Sequence, residues 1–272
     1  MTARGEEATT PSDVYLSGDR LYGDDFTQEQ IERWFAREAD AYFAISGSKR
    51  QEWSYFEWAK RHGYDHLPQT RFDHVLGFGS AEGAEIIPIK DRVERLTLVD
   101  SSSAWNTDPQ LEMPIDLKPA DPTGDIDLPD ASVDLVVCFG VLHHIPNVSH
   151  VLGEFSRVLC PGGWAVVREP IVSMGDWSQP RQGLTAQERG LPLEWVRRQL
   201  GDLGLTICRE TLIGFPPVAR LTPLIGGSPY NSPFWTKIDQ WICGLFRRQV
   251  RYHARSGWQR LRPTSVFLVL RR

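Results

Sequence analysis

From residue 72 to residue 170 the chain alternates short apolar runs with helical patterns, and this alternation constrains its fold more than any other feature. The apolar runs predict strands at residues 74–76, 95–99, 132–139 and 164–167. The third run is almost continuously apolar, as expected for a strand covered on both faces of a sheet. Strands that alternate with helices form parallel sheets with helical crossovers. The sequence therefore predicts an α/β fold.

Helical patterns separate and follow these strands. The clearest amphipathic helix follows Asn147, and its apolar residues are Val148, Val151, Leu152, Phe155, Val158 and Leu159. We expect the turn 161–163 to end it. A short helix is expected at 82–87, where Pro88 should end or kink it, and residues 101–131 are expected to be rich in loops. A further helix (193–203), a strand (205–212) and a last strand (265–270) complete the pattern.

The two ends of the chain add to this core. Residues 1–24 are polar and rich in turns, so we expect a loosely held arm. Thr27 and Gln30 have the spacing of a capping box and predict the start of a helix, and a second helix is expected at 52–62. We divide the chain into an N-terminal arm and helical cap (1–70), a core (71–213 and 263–272) and an insertion (214–262), all within one structural domain.

Composition excludes several classes of protein. The 272 residues are 41% hydrophobic and 24% charged, so the chain is long and apolar enough to bury a core. The longest uncharged apolar run has eight residues (135–142), too few to cross a bilayer. The polar N-terminus lacks the apolar segment of a secretory signal. Four widely spaced cysteines indicate reduced thiols, and we expect a cytoplasmic protein.

Polar or glycine-rich residues follow the predicted strands, at the edge where α/β sheets bind ligands. GFGSAEG (77–83) follows the first strand, Asp100 ends the second, and the third runs into FGVLHHIPN (139–147). Glu169 follows the strand after that. Glycines let the backbone approach a ligand, and the N-terminus of a helix offers free N–H groups. A carboxylate at position 100 could accept hydrogen bonds from both hydroxyls of a ribose.

Together these segments resemble class I S-adenosylmethionine-dependent methyltransferases. VLGFGSAEG resembles the first motif of that family and LVDSS the second. DLPDASVDLVVCFGVLHHIPN, followed by FSRVLCPGGWAVV, resembles its later motifs, and the resemblance covers residues 72–170. It implies a Rossmann-like seven-stranded sheet with a reversed last strand, here with an N-terminal helical cap and a C-terminal insertion. A dehydrogenase is disfavoured because it has no place for the later motifs.

The resemblance also implies which residues bind S-adenosylmethionine and its product S-adenosylhomocysteine. These cofactor-binding residues are Gly77, Phe78, Gly79, Ser80, Gly83, Asp100, Ser101, Phe139 and Gly140, together with Asp121 or Asp125 at the adenine amino group. Two positions depart from the family pattern. Gly77 replaces its usual acid and Ala81 its middle glycine, so another carboxylate must compensate, either Glu82 or an acid from the N-terminal helices.

His143, His144 and Glu169 are the candidate catalytic residues. An acceptor hydroxyl loses a proton during methyl transfer, and histidine has a suitable pKa for the base. Glu169 could orient a histidine, hold an acceptor hydroxyl or form a rim salt bridge with Arg168. A histidine pair followed by this acid resembles small-molecule and sugar O-methyltransferases, and REP…ERGLPLEW adds a looser likeness to enzymes of glycan biosynthesis. No metal site is predicted, because the sequence holds no compact ligand motif.

The 214–262 insertion is rich in tryptophan and arginine. Its apolar residues Phe234, Ile238, Trp241 and Leu245 recur at helical spacing, and the sequence allows a helix packed on the core, a dimer face or lid, or a membrane-surface contact. From residue 245 onward there are eight arginines and no acid, whereas the net charge of the whole chain is −5. Arginines suit a phosphate-bearing or lipid-linked acceptor. A nucleic-acid partner is not expected, because the chain is acidic overall.

These features predict a methyltransferase that methylates a hydroxyl of a sugar or polyhydroxylated metabolite. Two alternatives remain. One is a carbon or nitrogen methyltransferase of a small aromatic or quinone-like compound. The other is a binding protein that has kept the fold and lost catalysis, which the changes at Gly77 and Ala81 would allow. Fold alone does not decide among them.

Overall fold

A computed structural model describes residues 13–46, 55–101, 107–174, 181, 184–185, 187–221, 224 and 227–272, with the backbone alone at 13 and 39–46. Seven strands form one mixed sheet in the order β3-β2-β1-β4-β5-β7-β6. They are β1 (Val75–Phe78), β2 (Leu96–Asp100), β3 (Ile115–Pro119), β4 (Val133–Phe139), β5 (Leu159–Pro170), β6 (Thr206–Ile213) and β7 (Ser265–Arg271). β7 runs antiparallel to both its neighbours, and the other pairs are parallel. The predicted sheet with a reversed last strand is confirmed.

Helices cover both faces of this sheet. They are α1 (Asp13–Ser17), α2 (Gln28–Ser46), α3 (Phe56–His62), α4 (Val148–Val158), α5 (Leu193–Asp202), α6 (Pro216–Ala219) and α7 (Pro233–Leu245). Alternate strand residues enter two separate cores. Leu76 and Val136 join the core beneath α4 and α5, whereas Val75 and Leu135 join the core beneath α3. This alternation follows from the two-residue period of a strand and explains why the central strands are apolar throughout.

The strand order reverses between β1 and β4. From β1 the chain proceeds outward through β2 and β3, and it then returns to add β4 and β5 on the other side of β1. At such a switch point the two crossovers leave on opposite sides and open a crevice at the carboxyl ends of the strands. The turns after β1 and β4 therefore face each other across this crevice.

Two local predictions were wrong, and one strand was missed. The loop-rich segment 101–131 also contains β3; this edge strand is polar and largely exposed, so it lacks the apolar signature of the central strands. Pro88 does not end its helix, because the segment Ala84–Arg92 is a 3-10 helix that continues through it. The turn 161–163 lies inside β5, which begins at Leu159. The first part of the predicted helix at 52–62 lies outside the described residues.

The beginning of the described chain is not a loose arm. Leu21 is 2% exposed and joins the core beneath α4 and α5. The Asp24 carboxylate accepts a 2.8 Å hydrogen bond from the Ser149 N–H, in the first turn of α4. Asp24 therefore caps the helix that Asn147 was expected to cap, and the Asn147 side chain instead donates to the carbonyl of Thr123. At Thr27 the predicted capping contact forms, since its N–H donates to Gln30 Oε1 at 2.9 Å.

The insertion is anchored by a polar residue. The buried carboxylate of Asp239, on α7, accepts hydrogen bonds from the N–H groups of Gly214 and Phe215 at 2.8 and 2.7 Å. α7 thus buries the face that carries Asp239, whereas Phe234, Trp241 and Leu245 are 62–67% exposed. Of the three arrangements that the sequence allowed for this helix, packing of Phe234, Trp241 and Leu245 on the core is not observed. Within the described part of the chain, every helix is too short or too polar to span a membrane.

Candidate active site

A cleft of about 120 Å³ lies at the carboxyl ends of β1, β2 and β4. Its walls combine glycine backbone, apolar side chains and carboxylates. The sheet side contributes Phe78, Gly79, Val99, Asp100, Ala120, Asp121, Gly140 and Val141, and α2 contributes Phe35 and Glu38. An apolar slot with an acid toward each end suits a planar heterocycle that is linked to a ribose.

The turn after β1 adopts a backbone conformation that requires glycine. Gly79 has a φ of +67°, and a Cβ atom there would lie 2.3 Å from Val141 Cγ1. Its N–H donates to the carbonyl of Val99 at 2.7 Å. The Ala81 N–H donates to Asp100 Oδ2 at 2.9 Å, so the Asp100 carboxylate also holds the turn in place. The turn after β1 and the end of β2 therefore form a single unit at the cleft.

The packing around Gly77 is adapted to the absence of a side chain. A Cβ atom at this position would lie 2.6 Å from Ser80 Oγ and 2.8 Å from Leu98 Cδ2, so a side chain there would require these neighbours to shift. The expected compensating acids are placed differently from one another. Glu38 of α2 lines the cleft, whereas Glu82 does not lie on its wall. Glu85, which the sequence did not single out, is buried nearby, and burial raises its pKa to about 7.

The structure brings together six of the eleven candidate cofactor-binding residues on the wall of the cleft: Phe78, Gly79, Asp100, Ser101, Asp121 and Gly140. The wall of the cleft does not include Gly77, which lies in β1, or Ser80 and Gly83, which lie in the turn after it. Phe139 points away from the cleft into the core beneath α3, where its ring packs against Tyr64 and Phe267. Asp125 turns outward and forms a 2.6 Å ion pair with His150. Asp121 is therefore better placed than Asp125 for the predicted adenine contact.

His143 lies between two carboxylates. Its Nδ1 is 2.8 Å from Glu169 Oε2 and its Nε2 is 3.5 Å from Glu188 Oε1, and all three side chains are buried. Burial by itself would lower the pKa of His143, but the hydrogen bonds and charges of Glu169 and Glu188 outweigh it and raise that pKa. Because both of its ring nitrogens face carboxylates and it does not line the cleft, this imidazole is not placed to take a proton from an acceptor.

His144 is placed differently. It lies on the wall of the cleft, and its Nδ1 is 3.0 Å from Glu38 Oε2, which also accepts a 2.7 Å hydrogen bond from Thr185 Oγ1. A carboxylate at Nδ1 fixes the tautomer that carries its proton there, so the lone pair is on Nε2. The indole N–H of Trp34 donates to the backbone carbonyl of His144 at 2.7 Å. This hydrogen bond holds the backbone from which the imidazole extends. Of the two histidines, His144 has the geometry of a base.

Glu169 does not reach the cleft. Its Oε1 accepts hydrogen bonds from the N–H groups of Val141 and Leu142 at 2.9 and 2.8 Å, and its Oε2 faces His143. Its side chain is 3% exposed, so an acceptor hydroxyl could not approach it. Arg168 does not form the alternative salt bridge, because its guanidinium lies over the Tyr55 ring. Of the predicted roles, the geometry favours the orientation of a histidine.

Arg189 was missed by the sequence interpretation, although it holds the whole histidine segment. It is completely buried, and its guanidinium donates to the carbonyls of Tyr22, Leu142, His143, Ile145 and Pro146. Its carbon Cζ lies 5.1 Å from the ring of Trp34. Burial lowers the pKa of Arg189 to about 10, which still leaves it charged at neutral pH. Its only sequence signal was its place in ERGLPLEW.

The same residues include a set that could bind a metal ion. His143, His144 and Glu188 each offer a ligand atom, and these atoms lie within 4.8 Å of one another. Imidazole and carboxylate ligands suit divalent transition metals. The two histidines also have carboxylates at their Nδ1 atoms, which is common around metal sites. The ion pairs of His143 satisfy this set without a metal, and the sequence predicts none, so we assign no metal to it.

Comparison with known families and relatives identifies methyltransferases. The sequence profile of a methyltransferase-domain family matches residues 74–167. A Mycolicibacterium smegmatis protein described as a "probable S-adenosylmethionine-dependent methyltransferase" is 34% identical over 97 residues, which are 35% of this chain. The chain spans 37% of the length of that relative. The domain match and the description of the relative support S-adenosylmethionine as the cofactor.

Solved structures share the fold over most of the chain. An S-adenosylmethionine-dependent methyltransferase from Mesorhizobium loti is 16% identical with a TM-score of 0.53, over 84% of this chain and 100% of that one. The [4+2]-cyclase SpnF is 14% identical with a TM-score of 0.54, over 91% of this chain and 97% of that one. At these identities the likeness shows the fold alone, and the second protein is named for a reaction other than methyl transfer.

Proposed function

We propose that this protein transfers a methyl group from S-adenosylmethionine to an acceptor hydroxyl, on a sugar or a polyhydroxylated metabolite. The observation that carries the proposal is the position of the His144–Glu38 pair on the wall of the cleft that also presents Asp100 and Gly79. A binding site and a base therefore face the same space. A scaffold protein would have no need for a histidine whose tautomer is fixed at that position.

The groups on the cleft wall fit the cofactor. Asp100 would accept the ribose hydroxyls, Asp121 the adenine amino group, and Phe78 and Val99 would pack against the base. S-adenosylmethionine supplies an electrophilic methyl group on its sulfonium. Sites for small-molecule ligands measure roughly 300–1,000 Å³, so the cleft of about 120 Å³ must widen on binding.

The residues around His144 define the acid–base chemistry. Nε2 of His144 takes the proton of the acceptor hydroxyl, and Glu38 stabilises the imidazolium that forms, since it accepts the hydrogen bond from Nδ1. A positioned base of this kind contributes about 10²–10⁴-fold to a rate. Glu169, which also faces His143, accepts a hydrogen bond from the Val141 N–H and so fixes the backbone of the segment that carries His144.

The need for a base favours an alcohol as the acceptor. A sugar hydroxyl is a weak acid and gains most from His144, whereas a carboxylate is already ionised and needs no base. A small aromatic acceptor methylated at carbon or nitrogen is the alternative, and an acceptor screen separates the two. Sugars and polyols form one arm of the screen, quinols and amines the other, and the position of the transferred methyl is read by mass spectrometry.

Calorimetric titration with S-adenosylmethionine and S-adenosylhomocysteine tests cofactor binding before any acceptor is known. We expect a dissociation constant of roughly 1–50 μM, about −8 to −6 kcal/mol, which is lost in Asp100→Ala. Asp100→Asn keeps an acceptor for the Ala81 N–H, so it separates ribose binding from support of the turn. Asp91→Ala, at an exposed residue away from the cleft, is the matched control. The proposal fails if neither compound gives heat or raises the melting temperature.

A further inference from the structure

A second cavity, separate from the cleft, opens beside the edge strand β6. It measures about 720 Å³ and lies among the end of α1, the start of α5, β6 and the chain that follows α7. Pro192 and Leu193 form part of its wall, shortly after Glu188 and Arg189 in the chain. We call this cavity the arginine groove.

Arginines from three parts of the fold converge on the arginine groove. They are Arg197 and Arg198 of α5, Arg209 of β6, and Arg247, Arg248 and Arg251 after α7. Three carboxylates share the walls, those of Asp19, Glu194 and Glu210. The walls therefore carry a net charge of +3, although the net charge of the whole chain is −5. Such a local concentration of positive charge raises the local concentration of anions.

Two of these carboxylates share one guanidinium. Arg197 pairs with Glu210 through two hydrogen bonds and with Glu194 through a third. The third carboxylate, of Asp19, accepts a 2.8 Å hydrogen bond from the hydroxyl of Ser17, and its backbone carbonyl accepts from Arg198. The acids of the arginine groove are thus largely satisfied within its own walls.

The arginines that follow α7 have no such partner. In the part of the chain that the structure describes, Arg247, Arg248 and Arg251 are exposed and form no ion pair with a carboxylate. A cation just beyond a helix C-terminus is favourable, which accounts for Arg247 and Arg248 individually. It does not account for Arg251, which lies beyond that turn, or for the convergence of Arg198 and Arg209 from other elements. Six arginines on the wall of one cavity favour a bound anion.

We propose that the arginine groove binds a ligand that bears a diphosphate group. Guanidinium groups donate paired hydrogen bonds to phosphate oxygens, and two adjoining phosphates match several guanidinium groups better than a single carboxylate does. The site is concave and edged by Asp19, which favours a compact anion over a long polyanion or a flat membrane surface. This inference concerns binding alone and does not depend on the proposed methyl transfer.

Calorimetric titration with sodium pyrophosphate, without metal ions and at 50 mM salt, tests the proposal on the full chain. We expect saturable binding to the wild type and an affinity at least about tenfold lower in the triple variant Arg247→Gln, Arg248→Gln, Arg251→Gln. A second triple variant, Arg95→Gln, Arg220→Gln, Arg260→Gln, removes the same charge from exposed positions outside the arginine groove. Its affinity should stay within about twofold of the wild type.

Several outcomes would overturn the proposal. The first is that pyrophosphate does not bind to the wild type, and the second is that both triple variants lose the same affinity for pyrophosphate. The third is that the protein sediments with phosphatidylglycerol vesicles although pyrophosphate does not bind. The last result would assign the arginines to a membrane surface instead. Since the three arginines form no ion pair with a carboxylate among the described residues, the triple variant should melt no lower than the wild type. If it does not fold, the single variant Arg251→Gln and the salt dependence of wild-type binding provide the same test.

Discussion

Arg189 shows how one buried side chain can determine the geometry of a site. It donates hydrogen bonds to five carbonyls, four of which belong to the segment that carries both histidines. Lysine would retain the charge but offers three donors without the planar fork of a guanidinium. Arg189→Lys should therefore lower the free energy of unfolding by at least about 2–3 kcal/mol, measured by urea denaturation.

Arg198→Lys is the matched control for this change. Arg198 is exposed and donates one 3.0 Å hydrogen bond to the carbonyl of Asp19. Its replacement should change the free energy of unfolding by less than about 0.5 kcal/mol. Equal effects of the two substitutions would show that the carbonyl contacts of Arg189 contribute little beyond its charge.

His144 is where the proposed chemistry can be tested directly. His144→Ala removes the proposed base but leaves Asp100 and the turn after β1 in place. Turnover of an acceptor found by the screen should fall at least ~10²-fold, with the affinity for S-adenosylmethionine within about twofold of the wild type. His150→Ala, at a half-exposed histidine paired with Asp125, should leave turnover unchanged. Unchanged turnover in His144→Ala would remove this histidine from the mechanism.

Glu85 gives the fold a specific dependence on pH. Burial raises its pKa from 4.5 to about 7, so between these values the folded protein holds a proton that the unfolded chain has released. Stability from this group is therefore complete below about pH 4.5 and falls as the pH rises through 7. Glu85→Gln removes the charge and should stabilise the protein at pH 8 by up to about 3 kcal/mol, with little effect at pH 4.5.

Urea denaturation of wild type and Glu85→Gln at pH 4.5, 6 and 8 measures this difference. The comparison cancels the contributions of other titrating groups, including His143. Glu112→Gln, at an exposed acid, should follow the wild type at every pH. A difference between wild type and Glu85→Gln that does not change with pH would show that Glu85 ionises normally.

At the scale of elements, the turn after β1 and the segment after β4 are packed directly against each other. Gly79→Ala combines a positive φ, which costs about 1–2 kcal/mol for a residue with a side chain, with a Cβ atom 2.3 Å from Val141. The substitution should lower the melting temperature and abolish cofactor binding in the calorimeter, because Val141 must move and disturb the segment held by Glu169. Adding Val141→Ala should recover part of the stability.

Gly201→Ala provides the opposite expectation. Gly201 lies in α5, and a Cβ atom there would meet nothing within 4 Å. Alanine is the better helix former, so this substitution should stabilise the protein by up to about 1 kcal/mol. If Gly79→Ala behaved like Gly201→Ala, the turn after β1 would not be the rigid part of the site that its geometry indicates.

The elements that carry the site could be predicted because their signals are local. Strand ends and glycine turns lie within a few residues of the apolar runs that place them, which is why Gly79, Asp100 and His144 were found. Their partners could not be predicted in this way. Glu38 reaches His144 from 106 residues away in the chain, and only the packing of α2 across the cleft brings it there. Arg189 likewise acts through a contact that no local pattern encodes.

At the scale of the whole molecule, the insertion shows why helical periodicity does not identify the buried face. The apolar spacing in α7 allowed burial against the core as one of three arrangements, but Phe234, Trp241 and Leu245 are exposed. Two free N–H groups after β6 need acceptors where the chain leaves the sheet, and Asp239 supplies both. An unsatisfied buried N–H costs about 1–3 kcal/mol, and this cost offsets part of the free energy that would be gained by burying the apolar face of the helix.

The attachment of the insertion can be tested at this scale. Asp239→Ala leaves the N–H groups of Gly214 and Phe215 without their acceptor and should lower the free energy of unfolding by about 2–4 kcal/mol, measured by urea denaturation. Replacing Phe234, Trp241 and Leu245 together by serine should change it by less than about 1 kcal/mol, because these side chains are already in water. The reverse ranking would mean that another surface covers the apolar face of α7 in solution. Sedimentation of the wild type over a range of protein concentrations would then show whether that surface is a second copy of the chain.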